Sequence, residues 1–289
     1  MNTTRVGLEG LLHRTWSSSL LFPILSSINV ALSCVAVLYV TFNLSGLRIN
    51  IPVLISGFLA TFSIYSLNTV TDLKEDIINQ PQKAAAIAYK GVIYSLSLVS
   101  YILSLIIGYV IKPICVVILL IPLLIGIIYS IEIKGFRLKN LFLGKNLSIS
   151  FSWAIDASLF PFVFNKNILL FVAIFFFIFV KGIINTVLFD LRDMKGDAKA
   201  NINTLPIVMG RKKTIHLLLF LNSLLILWLF FFFERMFKYF IVIVVCIIYG
   251  YIYIFFFGYS KDVPKYLYSL LIDDEWIWWT FLIMLIKIV

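Results

Sequence analysis

Two groups of carboxylates at the ends of very apolar runs are the residues best suited to chemistry in this chain. The first reads Asn68-Thr-Val-Thr-Asp72-Leu-Lys-Glu75-Asp76 and the second Asp190-Leu-Arg192-Asp193-Met-Lys-Gly196-Asp197. Aspartate and glutamate total only 14 in 289 residues, and Asp72, Glu75, Asp76, Asp190, Asp193 and Asp197 all fall in these two windows. If the preceding helices continue through them, Asn68, Asp72 and Asp76 recur one turn apart and share a face. Asp190, Asp193 and Asp197 share another by the same periodicity. Gly196 is a candidate helix end that would leave Asp197 in a loop. Carboxylates held against a bilayer are costly unless they pair or bind a cation. Two facing acidic surfaces suit a hard divalent ion: Mg²⁺ typically takes one or two carboxylates and completes its shell with waters and phosphate oxygens. A bare carboxylate mouth repels a phosphate, and a bound metal reverses that preference. The alternative is a set of solvated helix ends paired with Lys74, Arg192 and Lys195. Two matching groups on one membrane face weigh against it.

The elements that must position these groups are membrane helices. The chain is 62% apolar and 13% charged, with a mean hydropathy of +1.03, whereas soluble domains are nearer half apolar and a quarter charged. Strand-like alternation is absent, which argues against a β-barrel. Nine candidate spans run over 17–44, 50–70, 86–111, 113–131, 146–165, 167–189, 213–233, 237–258 and 275–289. Most are near the roughly 20 residues a bilayer requires. The last is short, and its Trp276, Trp278 and Trp279 suit an interfacial belt. The polar start, Met1 to Arg14, and the length of the first apolar run predict a retained span, not a cleaved leader. The fold class expected is therefore all-α: a polytopic helical bundle around a central cavity, one domain over residues 1–289. Most of the 24 lysines and arginines fall on the N-terminus and the even-numbered connections. The opposite side holds only Arg48, Lys112, Lys166, Arg235, Lys238 and Lys287. The positive-inside bias puts the N-terminus and both acid groups in the cytoplasm, in a cell membrane. Each acid group follows an even-numbered span, the second and the sixth, which hints at two helical halves serving one shared mouth.

Several function classes drop out. The cysteines, Cys34, Cys115 and Cys246, lie in apolar runs with no CxxC spacing, so neither a disulfide framework nor a zinc site is expected. Two distant histidines, His13 and His216, supply neither a metal cluster nor a hydrolase triad. The net charge of +10 fits basic loops against anionic headgroups, and no nucleic-acid partner is expected.

The two acid groups resemble the motifs of the UbiA family of intramembrane prenyltransferases. The family's first motif is NDxxDxxxD, and here it reads Asn68-Thr69-Val-Thr-Asp72-Leu-Lys-Glu-Asp76. Its second is often embedded in DxRDxxGD, followed by a TLP segment and a glycine. Here that is Asp190 to Asp197, then Thr204-Leu205-Pro206 and Gly210. The resemblance implies that Mg²⁺ held by Asp72, Asp76, Asp193 and Asp197, with Asn68 assisting, binds the diphosphate of an isoprenoid donor. The allylic cation formed there is attacked by a small aromatic or lipid acceptor, most often an electron-rich ring. The aromatic, quinone-precursor branch is the expected acceptor class. The alternative is a glycerol-phosphate lipid or a sugar phosphate. The chain departs from the family pattern at Thr69, where an aspartate is usual, and at Asn201, where a glycine is common. It also carries Asn79-Gln-Pro81-Gln-Lys83 in place of an Arg-Pro pair, and Ile131 where some members place a tyrosine.

Candidate phosphate donors are Lys83, Lys134, Arg137, Lys145 and Arg192, in cytoplasmic loops; Lys134 matches a family lysine. Asp190 and Arg14 are counted as substrate-side groups, Arg14 for the acceptor or the diphosphate. Lys181, with Asn185 one turn away, is an intramembrane cation and so a candidate contact for the diphosphate or a metal-bound carboxylate, the alternative being a structural ion pair. Asp156, after Trp153 in the fifth span, is a candidate acceptor contact or base. Tyr65 and Trp153 could flank a carbocation. A transporter, with acids coupling ion movement, is the rival class. Such acids usually sit at the bilayer midplane in broken helices, not at helix ends. A family member that binds isoprenoid without catalysis is a further alternative, opposed by the presence of all four aspartates.

Overall fold

The computed structural model describes residues 21–71, 87–130, 137–199, 202–260 and 263–288, and among them there is no strand. The long helices are α1 (Leu21–Leu44), α2 (Ile51–Thr71), α3 (Lys90–Ile111), α4 (Pro113–Ser130), α5 (Gly144–Asn165), α6 (Ile168–Lys199), α7 (Arg211–Phe231), α8 (Phe240–Tyr259) and α9 (Glu275–Ile288). Among the described residues, eight helices are long and apolar enough to cross a membrane. Only α9, with 14 residues, falls short of that length. A multi-pass integral membrane protein follows.

Each helix packs on the next in sequence, and α9 packs on α1, so the bundle closes into a ring. α5 and α6 make the closest approach. A side chain at Gly182 would meet Ser150 of α5 at 3.0 Å, and small residues of this kind let membrane helices pack backbone to backbone. Two apolar cores divide the ring. One joins Leu38, Phe42, Val53, Ala60, Leu119 and their neighbours from the first half. The other is built on α6 to α9, with Phe177, Trp228, Ile243 and Trp279. Trp153 packs against both, and α1 contributes one face to each.

The outward surface is apolar, as a lipid-facing wall must be. Phe230 and Phe231 are 78% and 75% exposed. Phe177 turns the other way and is buried against Trp228 and Trp279. The expected tryptophan belt is only partly formed. Trp278 is exposed, but Trp276 and Trp279 are buried, because residues three apart share the inner face of α9.

One ion pair sits fully inside the ring. Lys181 of α6 pairs with Glu275 at the start of α9, both with no exposure. Lys181 Nζ also donates to Tyr253 Oη of α8 at 2.6 Å. This differs from the expectation that Lys181 would meet a diphosphate: an intramembrane ammonium needs a counter-charge, and α9 supplies it. Removing one partner strands a buried charge and is expected to cost about 3–5 kcal/mol, whereas replacing both with apolar residues is close to neutral. Glu275→Leu should therefore unfold far more readily in detergent than the wild type. The double variant Lys181→Met/Glu275→Leu should recover most of the loss.

Candidate active site

The second acid group lies in the last turns of α6, which Gly196 does not interrupt: the helix continues to Lys199. A glycine inside a helix costs about 1 kcal/mol relative to alanine, and packing of α6 outweighs it. Asp197 is therefore one helical turn past Asp193 on the same buried face, not in a loop.

The acids of this helix have different fates. Asp190 has no exposure and accepts from Lys145 Nζ at 2.7 Å and Asn146 Nδ2 at 2.8 Å. A tight turn before α5 delivers these two donors. Leu143 adopts a left-handed φ of 63°, and at Gly144 a side chain would collide with the Leu138 carbonyl. Both oxygens of Asp190 are thus engaged by protein donors, and its expected part in holding substrate gives way to anchoring α5 on α6. Asp193 is gripped by Arg192 through two bonds, Nε to Oδ1 at 2.9 Å and Nη2 to Oδ2 at 2.6 Å. The Arg192 guanidinium lies 4.7 Å from the Phe189 ring centroid and 5.5 Å from that of Tyr268, which fixes its plane.

Asp193, Asp197 and Arg192 line a cavity of about 340 Å³, together with Lys145, Lys139, Asp273 and Asn185. A second cavity of about 220 Å³ is lined by Asn68, Thr61, Cys34 and Asp156. Tyr65, Tyr129 and Trp153 belong to both, and Trp153 Nε1 donates to Tyr65 Oη at 3.0 Å. The hydrogen-bonded aromatic pair therefore stands where the acidic cavity meets the inner one. Asn68 Oδ1 accepts from Ser130 at 3.2 Å. Asp156 Oδ1 is buried and makes no hydrogen bond among the described residues.

The rest of the first acid group, Asp72, Glu75 and Asp76, lies outside the described residues, as do Arg14, Lys83 and Lys134. Among the described residues no three His, Cys, Asp or Glu side chains are grouped to hold a metal. Asp193 and Asp197 present two carboxylates on one helix face to a cavity, and that donor set fits Mg²⁺, which needs no more from the protein.

Two cavity residues escaped the sequence reading. Lys139, on a short 3₁₀ turn (Leu138–Asn140), is buried at the cavity wall, 5.7 Å from the Tyr129 ring centroid. Asp273 ends a π-helical turn (Ser269–Asp273) just before α9. Burial raises its carboxyl to about 7, helped by neighbouring Asp274 and opposed by Arg192 and a Ser269 hydrogen bond. The signal was legible: Asp273-Asp274-Glu275 is a third acidic run in an acid-poor chain.

A family model for the UbiA prenyltransferase family matches residues 29–272, and the chain belongs to that family. Similar proteins include the digeranylgeranylglyceryl phosphate synthase of Methanosphaera stadtmanae, 29% identical over 57% of this chain. The protein of the same name from Methanobrevibacter smithii is 26% identical over 64% of this chain. The matched stretch spans 59% of the first relative's length and 67% of the second's. Among solved structures, a UbiA homologue from Archaeoglobus fulgidus bound to GPP and Mg²⁺ superposes with a TM-score of 0.66 at 15% identity, covering 91% of this chain and 98% of that one. A structure described as a study of digeranylgeranylglyceryl phosphate synthase in membranes gives 0.59 at 20% identity, over 92% and 95% of the two chains. These likenesses establish the shared fold.

The different partnerships of Asp190 and Asp193 predict different losses. Asp190→Ala strands Lys145 and Asn146 and should lower stability by about 1.5–3 kcal/mol. Asp193→Ala leaves Arg192, only 11% exposed, without its carboxylate, and a nearly buried cation so stranded should cost about 3 kcal/mol or more. Thermal unfolding in one detergent ranks the two.

Proposed function

We propose that this protein transfers a prenyl group from an isoprenoid diphosphate to a hydroxyl of a glycerol-phosphate lipid, within the membrane and with Mg²⁺. The observation that carries the reading is that two unlike spaces share Tyr65 and Trp153 in their walls. An acidic cavity with cationic walls lies there beside a more apolar one. Such a pair fits a ligand with a charged head and a hydrocarbon tail. Asp193 and Asp197 would hold Mg²⁺ with Asp72 and Asp76, and Asn68 would assist. The bound ion would supply positive charge to the diphosphate oxygens.

The chain's own residues do the rest. Arg192, Lys139 and Lys145 orient the diphosphate and meet the charge it gathers on leaving; Lys83, Lys134 and Arg14 are proposed to close this head group from the remaining sides. The ring of helices excludes water from the allylic cation. The rings of Tyr65 and Trp153, which line both cavities, would stabilise it. The acidic mouth is assigned to the cytoplasmic side, in keeping with the distribution of Lys and Arg.

The acceptor proposed is the alternative that the resemblance left open beside the aromatic ring. Both curated relatives are named for a glyceryl phosphate that carries two geranylgeranyl groups, which favours a glycerol-phosphate lipid that already bears one chain.

Purified protein with Mg²⁺ and labelled geranylgeranyl diphosphate should label geranylgeranylglyceryl phosphate and leave a panel of aromatic acids unlabelled. Chelation of Mg²⁺ should abolish transfer. Asp193→Ala and Asp197→Ala should each reduce it by roughly 10²-fold or more. Labelled aromatic product would refute the acceptor, and undiminished variants would refute the site.

A further inference from the structure

Three consecutive acids precede and open α9, and the structure sends them in three directions. Glu275 goes inward to Lys181 and lies 3.4 Å from Tyr253 Oη. Asp274 accepts from Asn29 Nδ2 of α1 at 2.9 Å. Asp273 alone lines the acidic cavity, with Asp193, Asp197 and Arg192. The two acids that follow it are thus pinned to α6, α8 and α1, and the Asp273 carboxylate just before them is held on the cavity wall. The backbone there is a π-turn, a rare geometry that recurs at functional sites. Asp273 belongs to neither acid motif.

Transfer to an alcohol releases a proton, and a group in the reacting cavity must take it. We propose that Asp273 is that group: it accepts a hydrogen bond from the acceptor's attacking hydroxyl and removes its proton as the new ether bond forms. The inference rests on the glycerol-phosphate reading above. The step balances without a redox partner. The donor's allylic C–O bond breaks and the diphosphate leaves with the electron pair. The acceptor oxygen bonds to the allylic carbon, and its proton passes to an Asp273 oxygen. A carboxylate at its ordinary acidity would be a weak base for this; burial lifts Asp273 to about 7, where a base works best near neutral pH. The titratable and charged groups facing the same space are Arg192, Asp193 and Asp197 of α6, Lys145 of α5, Lys139 of the 3₁₀ turn, Tyr129 of α4 and Tyr65 of α2. Asp274 adjoins it in sequence. The rival carboxylate is Asp156, which lines the inner cavity and not the one that holds Asp193 and Asp197.

The test separates donor ionisation from transfer in the full-length protein with Mg²⁺ and geranylgeranyl diphosphate. Diphosphate release without acceptor is measured beside ether formation with geranylgeranylglyceryl phosphate. Asp273→Asn should lose about 10²-fold or more of ether formation while releasing diphosphate within a few-fold of wild type. Asp273→Glu should recover part of the loss. Wild-type transfer should rise with pH through about 7 and then level, since only the ionised carboxylate accepts the proton, and Asp273→Asn should lose that rising limb. Because folding raises the pKa of this group, its charged form opposes folding at pH 8. Asp273→Asn should accordingly unfold at an equal or higher temperature there. Retained transfer in Asp273→Asn, equal loss of both reactions, or loss of transfer alone in Asp156→Asn would each overturn the proposal. A wild-type enzyme that alkylates only aromatic rings would instead refute the underlying reading.

Discussion

A carboxylate enclosed by apolar helices must be paired, neutral or bound to a cation, and this constraint sorts every acid in the described interior of the protein. Ionisation of an unpartnered acid in such surroundings is penalised heavily. Asp190 is answered by Lys145 and Asn146, and Glu275 by Lys181. Asp274 is answered by Asn29. These three partnerships tie α6 to α5, α9 to α6, and the start of α9 to α1. They close the ring around a space whose walls carry Asp193, gripped by Arg192, with Asp197 and Asp273 in one cavity, and Asp156 in the other. The structural acids and the cavity acids are thus two halves of one design, the first fixing the geometry in which the second are exposed to a ligand.

Charge inside this ring is local in its effects. Arg192 holds Asp193 by a two-pronged contact while its plane rests on Phe189 and Tyr268. It therefore joins the acid motif of α6 to the segment that carries Asp273. A fork of this kind is specific to guanidinium and would be lost with lysine. The aromatic pair Tyr65 and Trp153 plays a matching part between the halves: Trp153 packs on both apolar cores, and its hydrogen bond to Tyr65 fixes the boundary between the cavities.

Much of the fold was legible in the sequence because hydropathy and length dictate membrane helices with little help from tertiary context. The helix positions and the shared face of Asp193 and Asp197 follow from periodicity alone. What escaped depended on partners distant in the chain. Lys181 reads as a lone intramembrane cation until Glu275 is seen beside it. Asp190 looks equivalent to Asp193 in the motif, yet a strained turn at Leu143 brings two donors to one and not to the other. Gly196 looks like a helix end, and packing carries α6 past it. Lys139 was hidden among orientation charges, and Asp273 by its place just before a short final helix.

The central claim is that the aspartates of the second and sixth spans hold one divalent-metal site at the acidic cavity. Its most direct test is a structure of the protein with Mn²⁺ and a non-cleavable thiolodiphosphate analogue of the donor, read by the metal's anomalous scattering. The account predicts metal peaks within coordination distance of Asp193 and Asp197, with Asp72 and Asp76 on the opposite side and the diphosphate between them. A metal bound elsewhere, or the two acid groups held on separate faces of the membrane, would contradict it.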